Sequence, residues 1–168
     1  MSFLRNKLLW IALVCAAPVV LGTLAYVLGW SPGAPANYGE LVPPSVVPVN
    51  ELRGKWVLVT FDAAACDANC ERKLYIMRQV RRAQGKDMDR IERLWVITDA
   101  GKPRADVLLA SEGIRIARKE SFNFPGHSAD RIYLVDPLGN LMMRFPRDPD
   151  PSKVIKDLQR LLKYSRFG

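Results

Sequence analysis

An uncharged stretch from Leu8 to Trp30 divides this chain into a part suited to lipid and a part suited to water. An α-helix needs ~20 mostly apolar residues to cross a bilayer, and this stretch is long enough. Trp10, Tyr26 and Trp30 sit near its ends, where interfacial aromatics belong. Arg5 and Lys7 precede it, and no Lys or Arg follows until Arg53. The positive-inside rule then predicts a cytoplasmic N-terminus and everything after residue 30 outside. Three other readings compete. A cleaved signal peptide would have a shorter apolar run, and its best cut signal, Thr23-Leu-Ala25, is weak. A lipoprotein would carry a small residue where Val14 precedes Cys15. A buried soluble helix would show a polar face. The expectation is an uncleaved single-pass anchor over residues 8–30 of an inner (plasma) membrane. Residues 1–7 lie in the cytoplasm, and Cys15 is an apolar side chain within the span.

Residues 31–50 read as a linker, because Pro32, Pro35, Pro43, Pro44 and Pro48 favour extended, semi-rigid chain. Residues 51–168 are then one periplasmic domain of ordinary size. The chain carries a formal net charge of +8, with a dense basic run at Arg72, Lys73, Arg78, Arg81, Arg82 and Lys86. Nucleic acid is a poor partner for a domain outside the cytoplasm. The run reads first as a solvated helix face, and otherwise as a docking surface for anionic lipid or an acidic protein.

Within the domain, strand-like and helix-like runs alternate. Trp56 to Phe61 and Leu94 to Thr98 are short apolar runs rich in β-formers, which predicts buried strands. Asp67 to Gln84 has helical spacing at Leu74, Met77 and Val80, with Gly85 at its end. Pro103 to Ser111 reads as a short helix. Arg131 to Asp136 and Asn140 to Phe145 flank Asp136-Pro-Leu-Gly139, which predicts a hairpin. Asp150 suits the N-cap of a last helix with Pro151 in its first turn. The order is β, α, β, α, loop, hairpin, α. It predicts an α/β sheet with helices on both faces, in the thioredoxin-like layout.

Cys66 and Cys70 fall where the first strand meets the first helix of this domain. Two thiols four residues apart at a helix start share one face, with Cα atoms roughly 6 Å apart, inside the disulfide range. The same spacing lets two thiolates face one soft metal ion. A redox couple, a metal site and a structural disulfide all remain open on spacing alone. His127 is the one histidine, and by itself it reads equally as a solvated loop residue or a metal ligand.

With these stretches in view, the chain resembles the Sco/SenC family of cytochrome oxidase assembly proteins, membrane-anchored thioredoxin-like copper proteins. The likeness rests on the order of anchor, linker and domain, on Cys66-x3-Cys70 after the first core strand, and on His127-Ser-Ala-Asp-Arg-Ile-Tyr-Leu-Val-Asp-Pro-Leu-Gly139. The resemblance implies that His127 joins Cys66 and Cys70 as a ligand of Cu(I)/Cu(II). It also implies a cytochrome c oxidase subunit with a copper centre as recipient, and a copper donor or thiol reductant protein as a further partner. The chain departs from the family where Asp67 and Glu71 replace the prolines that usually follow each cysteine.

Two thiolates and an imidazole suit Cu(I), whereas structural zinc wants a fourth ligand that no Cys or His outside the membrane stretch supplies. The competing expectation is a thiol-disulfide oxidoreductase of the periplasm with no metal role. A cysteine at a helix N-terminus has a lowered pKa, but Asp67 and Glu71 oppose thiolate formation, with Arg72 and Lys73 partly offsetting them. A third class is a non-catalytic assembly factor that holds its partner through the basic face.

Overall fold

The structure is a computed structural model that describes residues 2–30, 37–48, 50–120, 122 and 126–165. It forms two compact units, residues 1–36 and 37–168. The first is one helix, α1 (Ser2–Val27), with Pro18 inside it. Asn6–Val27 has a mean hydropathy of 2.3 and is long and apolar enough to span a membrane. Its end explains why the apolar run outlasts the helix. Gly29 takes φ +65°, the Trp30 amide donates to the Ala25 carbonyl and the Gly29 amide to the Tyr26 carbonyl. That is the Schellman closure, in which a left-handed glycine turns the chain back onto the last open carbonyls.

The second unit is a six-stranded sheet in the order β1-β6-β5-β2-β3-β4. The strands are β1 (Glu40–Val46), β2 (Trp56–Asp62), β3 (Ile91–Ile97), β4 (Arg115–Arg118), β5 (Ile132–Val135) and β6 (Asn140–Arg144). The helices are α2 (Ala68–Arg82), α3 (Ala105–Ala110) and α4 (Pro151–Tyr164). β2, β3 and β4 run parallel, while β5, β6 and β1 join antiparallel. β2 lies at the centre and is buried at every position, so its two faces read as one apolar run rather than an alternation.

Both expected caps form. The Asp150 carboxylate accepts from the Ser152 amide with Pro151 in the first turn, and the Asp136 carboxylate accepts from Leu138 and Asn140 within the hairpin. Gly139 takes φ +92°, the left-handed position the turn requires.

Three expectations are corrected. The stretch 31–50 is not all linker. The compact unit begins at Asn37, and Glu40–Val46 is strand β1. Prolines lack the N–H a central strand would use, but an edge strand bonds on one side only. β1 pairs with β6 alone, and its register breaks between Leu41 and Ser45, where Pro43 and Pro44 sit. The Tyr38 and Gly39 amides donate to the buried Asp157 carboxylate at 2.9 and 2.8 Å, which ties the start of this strand to α4. A Cβ at position 39 would meet the side chains of Met143 and Phe145, so any larger residue there forces these buried groups to shift.

The second correction is β4, whose residues Arg115 to Arg118 lie in what reads as loop. Its short, charged sequence is that of a protected edge. The third concerns layers. Side chains of α2, α3 and α4 pack only on the face carrying Trp56, Leu58, Ile91 and Trp95. Among the described residues the opposite face, carrying Val57, Val59, Phe61 and Val96, is covered by Val47, Leu52 and Phe122 and by no α-helix.

Candidate redox and metal site

The site begins where β2 runs out. After Asp62 the chain passes through Ala63, Ala64 and Ala65, and Cys66 takes φ +47°, rare for a residue with a Cβ. The Cys66 amide donates to the Ala63 carbonyl at 3.0 Å, closing this turn. Asp67 then caps α2, its carboxylate accepting from the Cys70 amide at 2.9 Å. Cys66 therefore lies before the helix and Cys70 within its first turn, so the two do not share a helical face as the spacing suggests. The turn brings them together instead. Cys66 and Cys70 form a disulfide with Cα atoms 5.1 Å apart.

Each of these cysteines is only 1% exposed. Ala64, Leu74, Trp95, Ile97 and Val107 pack around the bridge. Arg104, at the N-cap of α3, donates from Nη1 to the carbonyls of Ala65 and Cys66, both at 3.3 Å, and pairs with Glu71 at 3.2 Å. The Asp99 carboxylate accepts from the Ala64 amide at 3.1 Å, securing the turn from the other side. The bridge is thus enclosed by apolar side chains with Arg104 fastened across its backbone.

Beneath it lies a charge pair that the sequence does not announce. Lys73 Nζ sits 2.7 Å from Asp62 Oδ1, and Lys73 is 1% exposed. Thr60 Oγ1 donates to the other Asp62 oxygen at 2.7 Å. Lys73 also donates to the Ala129 carbonyl. Burial pushes the Asp62 carboxyl above its usual range, against the opposing pull of Lys73. Lys73 reads in the sequence as one more cation of the basic run. Its spacing of three from Cys70, on the face that holds Leu74, Ile76 and Met77, is the signal that it points inward.

His127 is half-buried on the loop before β5. Its ring stacks on Phe61 with centroids 4.4 Å apart and planes 27° from parallel. Tyr133 meets Phe61 edge-on, and its hydroxyl accepts from the Ser128 amide at 2.7 Å. Phe61 belongs to the core on the face of the sheet opposite the cysteines. The structure brings Cys66 and Cys70 together just past the end of β2 and seats His127 against Phe61, the penultimate residue of the same strand. Among the described residues no group of three His, Cys, Asp or Glu side chains converges to hold a metal. The donor types suit copper, but a disulfide has no thiolate to offer, so the set is not assembled in this oxidised form.

The model of one family, described as a transmembrane-like, thioredoxin-like C-terminal domain, matches residues 56–165. No curated protein matches the chain. Among solved structures, apo Sco1 from Thermus thermophilus is similar at 18% identity and a TM-score of 0.57, covering 77% of this chain and 99% of that one. Yeast Sco1 with copper bound is similar at 15% identity and a TM-score of 0.54, covering 79% of this chain and 96% of that one. A thiol:disulfide interchange protein of the thioredoxin family from Chlorobium tepidum is similar at 15% identity and a TM-score of 0.52, covering 77% and 99%. At these identities the likeness is one of fold. The thioredoxin-like layout expected from the alternation of elements is the observed one.

Proposed function

We propose that this chain, which belongs to the transmembrane-like, thioredoxin-like C-terminal domain family, is a membrane-anchored copper-binding assembly factor for a cytochrome c oxidase copper centre. The observation that carries this reading is the Cys66–Cys70 pair at the β2–α2 junction, on a fold shared with yeast Sco1 with copper bound. His127 is the third donor, and Lys73 links its loop to the cysteine-bearing helix through the Ala129 carbonyl. α1 anchors the chain, with Arg5 and Lys7 on the cytoplasmic side and the domain in the periplasm.

Copper loading requires the Cys66–Cys70 bridge to be opened first. A partner dithiol attacks one sulfur, the Cys66–Cys70 bond breaks, and a second attack releases the partner as a disulfide. Two electrons and two protons pass to the pair, which becomes two thiols. Copper, the cargo, then takes the place of the thiol protons. The soft sulfur donors and a neutral imidazole match Cu(I).

A second reading, a thiol-disulfide oxidoreductase without a metal role, is favoured by the disulfide itself and by the fold shared with the Chlorobium interchange protein. The two uses exclude each other at any instant, since a bridged pair has no thiolates for copper. Copper titration of the reduced full chain decides between them. We expect one copper per chain, with His127→Ala weaker and more labile. If His127→Ala matches the parent in both copper redox states, His127 is not a ligand. Fast disulfide turnover that copper does not slow supports the oxidoreductase.

A further inference from the structure

The last helix carries a stripe of cations on the side away from the core. Lys153, Lys156, Arg160 and Lys163 are exposed and recur at intervals of three and four residues, so they lie along one face of α4. Val154, Leu158 and Leu162 pack against the sheet from the other side. The helix contains a single acid, Asp157, which is 5% exposed and has its carboxylate occupied by the Tyr38 and Gly39 amides. Asp150, just before it, accepts from the Ser152 amide as the N-cap. Lys153, Lys156 and Lys163 have no carboxylate partner among the described residues. The basic run on α2 differs in this respect, since Arg72 pairs with Asp148, Lys73 with Asp62 and Arg81 with Asp89.

The stripe borders the place where the chain enters the domain. Besides the two amides on Asp157, the Tyr38 hydroxyl accepts from the Asp150 amide at 3.0 Å, and Lys153 Nζ lies 5.2 Å from the Tyr38 ring centroid. At the far end Tyr164 is 76% exposed, with Lys163 Nζ 5.7 Å from its ring. Lysines interleaved with exposed tyrosine are the composition of a helix that lies at a headgroup layer. Only residues 31–36 separate Trp30, at the end of the apolar helix, from Asn37, where the domain begins. So short a tether gives a spanned bilayer a high effective concentration for any cationic face of the domain, which makes a modest attraction sufficient.

We propose that the exposed face of α4 docks on the anionic headgroups of the bilayer that α1 spans, through Lys153, Lys156 and Lys163 with Tyr164 at the headgroup level. The inference rests on the anchor reading of α1 and on nothing about copper or the redox state of the cysteines. A bilayer is favoured over an acidic protein because the tether keeps it beside the domain, whereas a protein has to arrive by diffusion. A helix face with its charges in one row also suits a broad surface of like-charged headgroups. The attraction is electrostatic and acts across water, so salt weakens it.

The test places the full chain, oxidised and without copper, in nanodiscs of phosphatidylcholine alone or of phosphatidylcholine with phosphatidylglycerol. Lysine acetylation by a neutral active ester is followed residue by residue by mass spectrometry. We expect Lys153, Lys156 and Lys163 to react several-fold more slowly in the anionic discs, and high salt to remove the difference. Lys102, exposed on the loop before α3, should react alike in both. Lys156→Glu with Lys163→Glu should abolish the protection of Lys153, and Lys156→Arg should keep it. These side chains are exposed, so the variants fold. A chain retained in both discs whose α4 lysines react alike, or no more slowly than Lys102, overturns the docking and leaves the anchor standing. A chain that is not retained in neutral discs overturns the anchor and the docking with it. Protection by a glutamate-rich peptide in neutral discs, without protection by anionic lipid, overturns the proposal and makes the face a protein site.

Discussion

Lys73 Nζ and Asp62 Oδ1 lie 2.7 Å apart in the core, one turn of α2 beyond Cys70. The pair joins the end of β2, the cysteine helix and the His127 loop, since Lys73 also bonds the Ala129 carbonyl. Lys73→Met leaves Asp62 buried without its cation. Removing one member of such a pair costs roughly 3–5 kcal/mol near pH 7. The cost should shrink on acidification. Asp62 has a folded pKa above its unfolded value, so the stability tied to its protonated form is full below the unfolded pKa, about 3.9. That stability is lost as pH rises through the folded pKa. Urea unfolding at acid and neutral pH reads this out. A penalty that grows toward acid pH refutes the assignment of the buried charge.

Arg104 is expected to slow access to the bridge. It fastens α3 across the Cys66 carbonyl and pairs with Glu71, and both sulfur-bearing residues are buried. Arg104→Ala should raise the rate of reduction by dithiothreitol several-fold while leaving the fold intact by circular dichroism. An unchanged rate means that opening occurs elsewhere.

Asp67 has a helix to start. Its carboxylate satisfies the Cys70 amide, and loss of such a cap typically costs about 1 kcal/mol. Asp67→Ala should lower stability by that order, whereas Asp67→Ser or Asp67→Asn should largely retain it. Equal stability of all three rules out capping as the role of this residue. Proline cannot supply this side-chain acceptor, so the departure from the Sco/SenC pattern at position 67 has a structural use here.

His127 offers a spectroscopic handle. Stacked on Phe61 at 4.4 Å, its ring protons fall in the shielding cone of the phenyl ring. Proton NMR of the oxidised chain should show them upfield of their ordinary positions, and Phe61→Leu should return them. Addition of copper to the reduced chain should shift the same resonances, because a metal bound at a ring nitrogen changes the shielding of the ring protons. An unmoved resonance on copper loading separates His127 from the metal.

Much of this architecture is legible from periodicity. The runs at 56–61 and 94–98 become β2 and β3, and Asp136-Pro-Leu-Gly139 makes its hairpin because local turn chemistry is decided by four residues. What escapes is whatever depends on partners distant in sequence. Pro43 and Pro44 read as linker because their strand is defined by its pairing with β6, about a hundred residues on. Lys73 reads as solvated because the carboxylate that holds it lies on another element. The cysteine pair is visible as a spacing, yet its burial comes from Trp95 and Val107 and from Arg104 across it. His127 is visible only through family likeness, since one histidine in a loop has no pattern of its own.

The prolines of β1 have one more consequence. A sheet that ends in an unpaired strand offers a row of donors and acceptors to any neighbouring chain, the first step toward fibrous association. Here the outer strand on one side carries Pro43 and Pro44, which have no N–H to give, and the outer strand on the other side carries Arg115 and Arg118. Neither margin invites a further strand. Any setting that crowds copies of this chain together raises the rate at which their sheet margins meet, and these guarded margins let them do so without fusing.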